Sequence, residues 1–243
     1  MNLAEHVLRA GQAVPDHQAL VVMGADDAQV WTHGDLRRAV LGTATGLTRA
    51  GLRPGDRLLM RLANRPAFPI AYLGAIAAGV IPVPTSAQLT GAEITRIAAR
   101  IAPAMIVAGA GVPLPDHPAP VLTEGDLDGF ATLPPADFAQ GSADRLAYIV
   151  FTSGSSGQPR AVMHAHRAIL ARQAMMAGWY GLRADDRLLH AGAFNWTFTL
   201  GTGLLDPWTL GATALIPADG TPIERIPLLA ARHGATILAG APG

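Results

Sequence analysis

The chain has 243 residues, half of them hydrophobic, with eighteen arginines, no lysine, eighteen acids and a formal net charge of zero. That size and apolar fraction suit one large or two small α/β units with a sizeable core, and the charge balance argues against an electrostatic nucleic-acid binder. The absence of cysteine and lysine rules out disulfides, thiolate catalysis, cysteine metal sites and a lysine nucleophile within these residues.

Leu3 to Ala13 reads as a short amphipathic helix, and Met1–His6 shows no basic region followed by an apolar core, so no secretory signal is expected. Ala19–Met23 is a strand with Gln29–Thr32 as its partner. Thr32-His33-Gly34-Asp35 opens a helix through a capping box, running to about Ala50 and stopping at Gly51. Arg57–Leu62 is the next strand. From Pro66 to Ala92 no residue is charged, long enough to span a bilayer, but Pro69, Gly74, Gly79, Pro82 and Pro84 favour a buried helix to Ala78 followed by a buried strand, Val80–Pro84. Thr90-Gly91-Ala92-Glu93 caps a helix to about Ile101, and Ala104–Ala108 is a short strand. Six prolines and scattered acids between Gly109 and Gly141 predict a long surface connection with one short strand near Val121.

Tyr148–Phe151 is strongly β-forming and runs into Thr152-Ser153-Gly154-Ser155-Ser156-Gly157-Gln158-Pro159-Arg160. Gly154 and Gly157 permit close backbone approach, consecutive amides can form an anion nest, and Arg160 adds a bidentate cation. The stretch fits neither G-x-x-x-x-G-K-[ST] nor G-x-G-x-x-G, and its bland alternative is a Ser/Gly surface linker. A helix from Ala165 to Trp179 is expected to begin close enough to offer its positive end to bound phosphate. Arg187–His190 is a strand, Asn195–Leu210 a helix ended by Gly211, and Ala212–Ile216 a strand. Thr221-Pro222-Ile223-Glu224 starts a capped helix to His233, and Ala235–Ala239 is the last strand. The alternation predicts a layered α-β-α fold with a largely parallel sheet and ligands at the strands' C-terminal ends. Residues 1–140 are expected to form a first α/β subdomain, and 141–243 the segment that carries the loop and continues the same large domain.

His164 and His166 read either as helix-start histidines with local partners or as phosphate contacts, and their spacing argues against a metal pair. Phe194-Asn195-Trp196-Thr197-Phe198 reads either as a core cluster or as a ligand contact at a strand end. No pair of acids stands out as general acid and base, and no residue is assigned a catalytic role.

The nine residues from Thr152 to Arg160 resemble the phosphate loop of the adenylate-forming enzymes, Thr/Ser-Ser-Gly-Ser/Thr-Ser/Thr-Gly-x-Pro-Lys, at eight positions, with Arg160 where lysine is usual. That superfamily comprises acyl- and aryl-CoA synthetases, peptide-synthetase adenylation domains and luciferases. Gly74, Gly79 and Pro84 follow its Gly-x-x-x-x-Gly-x-x-x-x-Pro segment, and Val162–Arg167 resembles the continuation after its loop. Trp196 matches best the aromatic position near the family's carboxylate pocket, and Ala239-Gly240-Ala241-Pro242 resembles the strand and turn that line its acyl pocket.

The resemblance implies an ATP-dependent acyl- or aryl-CoA synthetase, an acid–thiol ligase, located in the cytoplasm. Thr152, Ser153, Gly154, Ser155, Ser156, Gly157, Gln158 and Arg160 would hold the phosphates of ATP, with the Thr152 hydroxyl near Mg²⁺. Phe194, Asn195, Trp196, Gly240 and Ala241 would hold the carboxylic acid, and CoA would accept the acyl group. The family's later Tyr-Gly-x-Thr-Glu segment, ribose-binding Asp, hinge and C-terminal catalytic domain are not found here. The expectation is therefore an N-terminal portion, inactive alone, whose partners are its own C-terminal part or a homodimer mate. The alternative from another class is a non-catalytic nucleotide-binding or regulatory module on a degenerate version of the same fold.

Overall fold

A computed structural model describes residues 1–152 and 160–240. The first sheet contains β1 (Gln18–Met23), β2 (Ala28–Thr32), β9 (Arg187–His190), β10 (Thr213–Pro217) and β11 (Ile237–Ala239), in the order β11-β9-β10-β1-β2. All its pairings are parallel except the edge pair β1–β2. The second sheet is wholly parallel, with β3 (Arg57–Arg61), β4 (Ile81–Pro84), β5 (Met105–Ala108) and β6 (Val121–Thr123) in the order β4-β3-β5-β6. A third unit is the antiparallel pair β7 (Leu146–Thr152) and β8 (Arg160–Ala165). The first sheet crosses the expected division at 140/141, because β1 pairs with β10 and so joins β1 and β2 to the strands drawn from residues 187–239.

The side-chain alternation of the strands explains the layering. Leu20 and Val22 of β1, with Leu58 and Met60 of β3, point into one core that is filled by α1 (Leu3–Leu8), α2 (His33–Arg49) and α3 (Ala67–Ala77). Val21 and Met23 face the other way, onto α8 (Ile226–Arg232), while Leu59 and Val83 meet α4 (Gly91–Ile101). Helices cover both faces of each sheet, which is why these strands read as unbroken apolar runs. α3 is buried on every side, which accounts for its lack of a polar face. Among the described residues no helix is long and apolar enough to cross a membrane.

Thr32 and Thr90 form the expected capping boxes. Four local expectations need correction. The connection after Gly109 contains α5 (Glu124–Ala131), capped by Thr123 and Asp126 through a box that its surrounding prolines obscured. The segment 160–165 is a strand, because its backbone pairs antiparallel with β7, and α6 (Ala168–Trp179) begins only afterwards. The stretch from Asn195 to Leu210 is not one helix. It is a wide π-helical segment, Thr199–Leu205, followed by α7 (Asp206–Leu210), which Gly211 ends in the left-handed conformation at φ 82°. The Thr221 region forms a single 3₁₀ turn, Ile223–Arg225, before α8, and it has no side-chain cap.

Candidate functional site

The C-terminal ends of β3, β4, β9 and β11 converge on one cleft of ≈ 440 Å³, completed by Asp219 beyond β10. This is where ligands of open parallel sheets bind, and the volume suits a small organic molecule. Asn64, just past β3, ties the two sheet ends together. Its Oδ1 accepts from the Phe194 amide at 2.9 Å, and its Nδ2 donates to the Gly192 carbonyl at 3.1 Å.

The aromatic stretch divides between wall and foundation. Asn195 and Trp196 line the cleft, with Trp196 57% exposed at its rim. Phe194 is buried and packs on Phe68 of α3 with ring centroids 5.2 Å apart, so it anchors the segment from beneath and does not line the cleft. Phe198 lines it and stands edge-to-face with His190 at 4.6 Å. Gly240 is a lining residue too; Ala241 lies outside the described residues.

Two further residues shape the wall. Arg61 of β3 is fully buried with no carboxylate partner among the described residues, and its guanidinium donates to the carbonyls of Ser86, Ala87, Leu89 and Pro113. Burial lowers its pKa, and the carbonyl fan pins the segment after β4 that carries Ser86, Ala87 and Gln88 into the cleft. His190, 1% exposed at the end of β9, accepts the Gly192 amide on Nδ1 at 3.0 Å. Burial pulls its pKa down to about 4, so the ring is neutral with its proton on Nε2. Gly192 is required where it stands, because a Cβ there would lie 2.2 Å from Thr199 Oγ1.

The phosphate-loop candidate is described only at its two ends. Thr152, at the exposed end of β7, pairs in register with exposed Arg160 at the start of β8. Ser153, Gly154, Ser155, Ser156, Gly157 and Gln158 lie outside the described residues. α6 cannot serve the loop as expected: six residues of β8 separate them, roughly 20 Å of extended chain, and a helix end acts only within about one turn. His164 stacks on Tyr148 at 4.5 Å, and His166 Nδ1 accepts the Leu3 amide at 3.0 Å. For His166 the partner is not local but 163 residues away in sequence, and it ties that ring to the start of α1. No group of three His, Asp or Glu side chains comes together among the described residues. Thr152 is the described residue at the loop that could offer an Mg²⁺ ion a hydroxyl, beside substrate phosphates and water, the ligands this ion commonly keeps.

Arg61, Asn64 and His190 were not singled out from the sequence. The signal for Asn64 was its place just past a strand's C-terminal end; for Arg61 it was a charge inside an otherwise apolar strand. His190 closes a strand whose end was already expected to face ligand.

The chain is 28% identical over 235 residues to the 3-hydroxybenzoate–CoA/4-hydroxybenzoate–CoA ligase of Thauera aromatica, covering 87% of this chain and 44% of that protein. It is 29% identical over 239 residues to a benzoate–CoA ligase of the same organism, covering 89% and 44%. Among solved structures, a benzoate CoA ligase from Burkholderia xenovorans LB400 superposes with a TM-score of 0.86 at 22% identity, over 98% of this chain and 50% of that one. The inhibitor-bound N-terminal domain of FACL13 from Mycobacterium tuberculosis matches with a TM-score of 0.86 at 20% identity, over 98% and 62%. The chain thus spans about half the length of the relatives it matches. The model of the AMP-binding enzyme family matches residues 7–243, nearly the whole sequence, and the chain belongs to that family.

Proposed function

We propose that the chain forms the ATP- and acid-binding part of an acid–thiol ligase that joins an aromatic carboxylic acid to CoA through an acyl-adenylate. The observation that carries this reading is the ≈ 440 Å³ cleft at the C-terminal ends of parallel strands from both sheets, in a chain matched by the AMP-binding family along its length. The aromatic class is supported by the benzoate and hydroxybenzoate ligases among its relatives. In the first half-reaction a carboxylate oxygen attacks the α-phosphorus of ATP, the bond to the β-phosphate oxygen breaks, and pyrophosphate leaves. In the second, the thiol sulfur attacks the acyl carbon, the bond from that carbon to the AMP phosphate oxygen breaks, AMP departs and the thiol proton passes to solvent. Residues Thr152–Arg160 would hold the β- and γ-phosphates. Asn195, Trp196 and Gly240 would contact the acid, and Phe194 would brace that wall. Mg²⁺ on the phosphates would neutralise charge as pyrophosphate leaves. What the chain's own residues do is place two anions in line and shield them from water.

The test is carboxylate-dependent exchange of pyrophosphate into ATP, measured on the polypeptide as its cell makes it, across benzoate, hydroxybenzoates and aliphatic acids. Exchange is expected with acids of benzoate size, and Arg160→Ala should weaken ATP binding about tenfold, in the range for losing one charged hydrogen bond. ATP binding without exchange for any acid would overturn the proposal.

A further inference from the structure

His190 carries a buried polar atom without a partner among the described residues. The Gly192 amide donates to Nδ1 at 3.0 Å, which fixes the proton on Nε2. Nε2 is fully buried and has no hydrogen-bond partner among the described residues. The buried Thr199 hydroxyl nearby is equally without a partner among the described residues, so neither group satisfies the other. Phe198 fixes the imidazole edge-to-face at 4.6 Å, and Asn64 fixes the Gly192 carbonyl at 3.1 Å. A donor held this rigidly and left unsatisfied disfavours the empty site and favours any ligand that supplies an acceptor.

Its depth limits which part of a ligand can reach it. His190 is 1% exposed, whereas Trp196 on the same cleft is 57% exposed. In a cleft that takes an acid, the carboxylate must meet the nucleotide and stays toward the open side, so the acid's far end enters toward β9. The apolar surroundings, with Leu62, Ala63, Ala191 and Ala193 also lining the cleft, favour an uncharged group.

We propose that His190 is a specificity-determining residue of the acid cleft: its Nε2–H donates to an uncharged oxygen substituent, a hydroxyl or ether, at the far end of the carboxylic acid. This rests on the reading of the cleft as the acid site. A site built around a donor discriminates against the analogue that leaves it unpaired. For one neutral donor the expected preference is about ten- to hundredfold.

The experiment compares kcat/KM for pyrophosphate exchange on matched acids, benzoate against 3- and 4-hydroxybenzoate and hexanoate against 6-hydroxyhexanoate, in the polypeptide as its cell makes it. The native protein should prefer the hydroxy acid of at least one pair by ten- to hundredfold. His190→Leu should bring that ratio close to one, and His190→Gln, which keeps a donor, should restore part of it. Should the variants fail to fold, the ¹⁵N resonance of His190 Nε2 in the native protein supplies the second measurement, and it should move on addition of the hydroxy acid but not of its parent. An equal preference for both members of every pair, a ratio unchanged in His190→Leu, or the same resonance response to both acids would overturn the role of His190. Exchange with no acid of any kind would instead overturn the ligase reading on which it rests.

Discussion

Arg172→Met should cost about 3–5 kcal/mol of folding stability, because it strips a buried carboxylate of its cation. Arg172 on α6 forks onto Asp206 of α7, Nε to Oδ1 at 2.8 Å and Nη2 to Oδ2 at 2.6 Å, and Nη2 also reaches Thr202 Oγ1 at 3.1 Å. The Tyr180 hydroxyl donates to the same carboxylate at 2.7 Å. Asp206 is 1% exposed, so bulk water cannot replace the fork. Burial works against the guanidinium charge, but Asp206 more than offsets it and raises the Arg172 pKa overall. Methionine keeps most of the apolar stem and leaves Tyr180 as the carboxylate's remaining side-chain donor. Against a domain stability of about 5–15 kcal/mol the loss is large. The double variant Arg172→Met/Asp206→Leu should cost less than Arg172→Met alone, since no charge is then stranded. Urea unfolding followed by tryptophan fluorescence measures both, with an unchanged m-value as the control for comparable unfolding. A cost below about 1 kcal/mol for Arg172→Met, the level of an exposed pair, would refute the reasoning. The pair matters to the site because it pins the π-helical segment that follows Trp196 and Phe198, packed so closely that a Cβ on Gly201 would meet Arg172 Cζ at 2.4 Å.

Tyr72→Phe should leave stability unchanged or raise it by about 1 kcal/mol in the same assay, because the Tyr72 hydroxyl is fully buried without a partner among the described residues; a loss of more than that would show a bond is being made. Gly192→Ala should destabilise by about 1–3 kcal/mol through overpacking against Thr199 Oγ1 and should shift the His190 ring resonances; an unperturbed protein would refute the close approach. Acid should unfold the protein through its buried histidines. His166 is lowered to about 4 by burial, with Arg145 and the N-terminal ammonium adding to it, and His190 to about 4 by burial alone. Depressed histidines bind protons more readily when unfolded, so their stabilisation is intact above pH 6.5, falls as pH drops from 6.5 to 4, and levels off below. Each contributes about 3 kcal/mol over that window at about 1.4 kcal/mol per unit. Unfolding free energies measured at pH 7, 5.5 and 4.5 that did not decline would contradict the assignment.

Most elements were legible because they are decided locally. Thr32 with Asp35 and Thr90 with Glu93 cap helices through residues three apart, and β1, β3 and β5 are short apolar runs that cannot be mistaken once both faces are covered. Where the sequence misled, a longer-range partner decided the outcome. Arg160–Ala165 looks like the run-in to a helix until β7 pairs with it. Asn195–Leu210 has helical spacing, but the buried Arg172–Asp206 fork and the close packing at Gly201 and Gly203 favour wider turns over Thr199–Leu205. The candidate site divides the same way. Asn195, Trp196 and Gly240 follow strand ends and were visible as such. Arg61 and Asn64 act through partners 25 or more residues away, Ser86 and Phe194, and His190 presents a ring nitrogen without a partner among the described residues; none of those relations shows in a motif.

The placement of Arg160 has a consequence for how phosphate charge would be met. In a strand–loop–helix phosphate site the helix N-terminus contributes about half a positive charge alongside the loop amides. Here β8 intervenes and carries α6 roughly 20 Å away, so that contribution is lost. A loop that bound pyrophosphate in this setting would draw on amides, hydroxyls and the cation at 160, which is exposed and strand-borne. Strand registry with Thr152 fixes the backbone beneath that cation, whereas its head remains free to follow the phosphates. Guanidinium suits this role better than ammonium would, since its planar fork can grip two oxygens of a leaving group at once. The same exposure makes the contact vulnerable to salt, because charges in water are screened beyond about 10 Å at 0.1 M ionic strength. The cleft proposed for the acid is lined by uncharged groups, apart from Asp219, and would have no such dependence. The two halves of the site should therefore separate experimentally, nucleotide affinity weakening with salt while discrimination among acids holds.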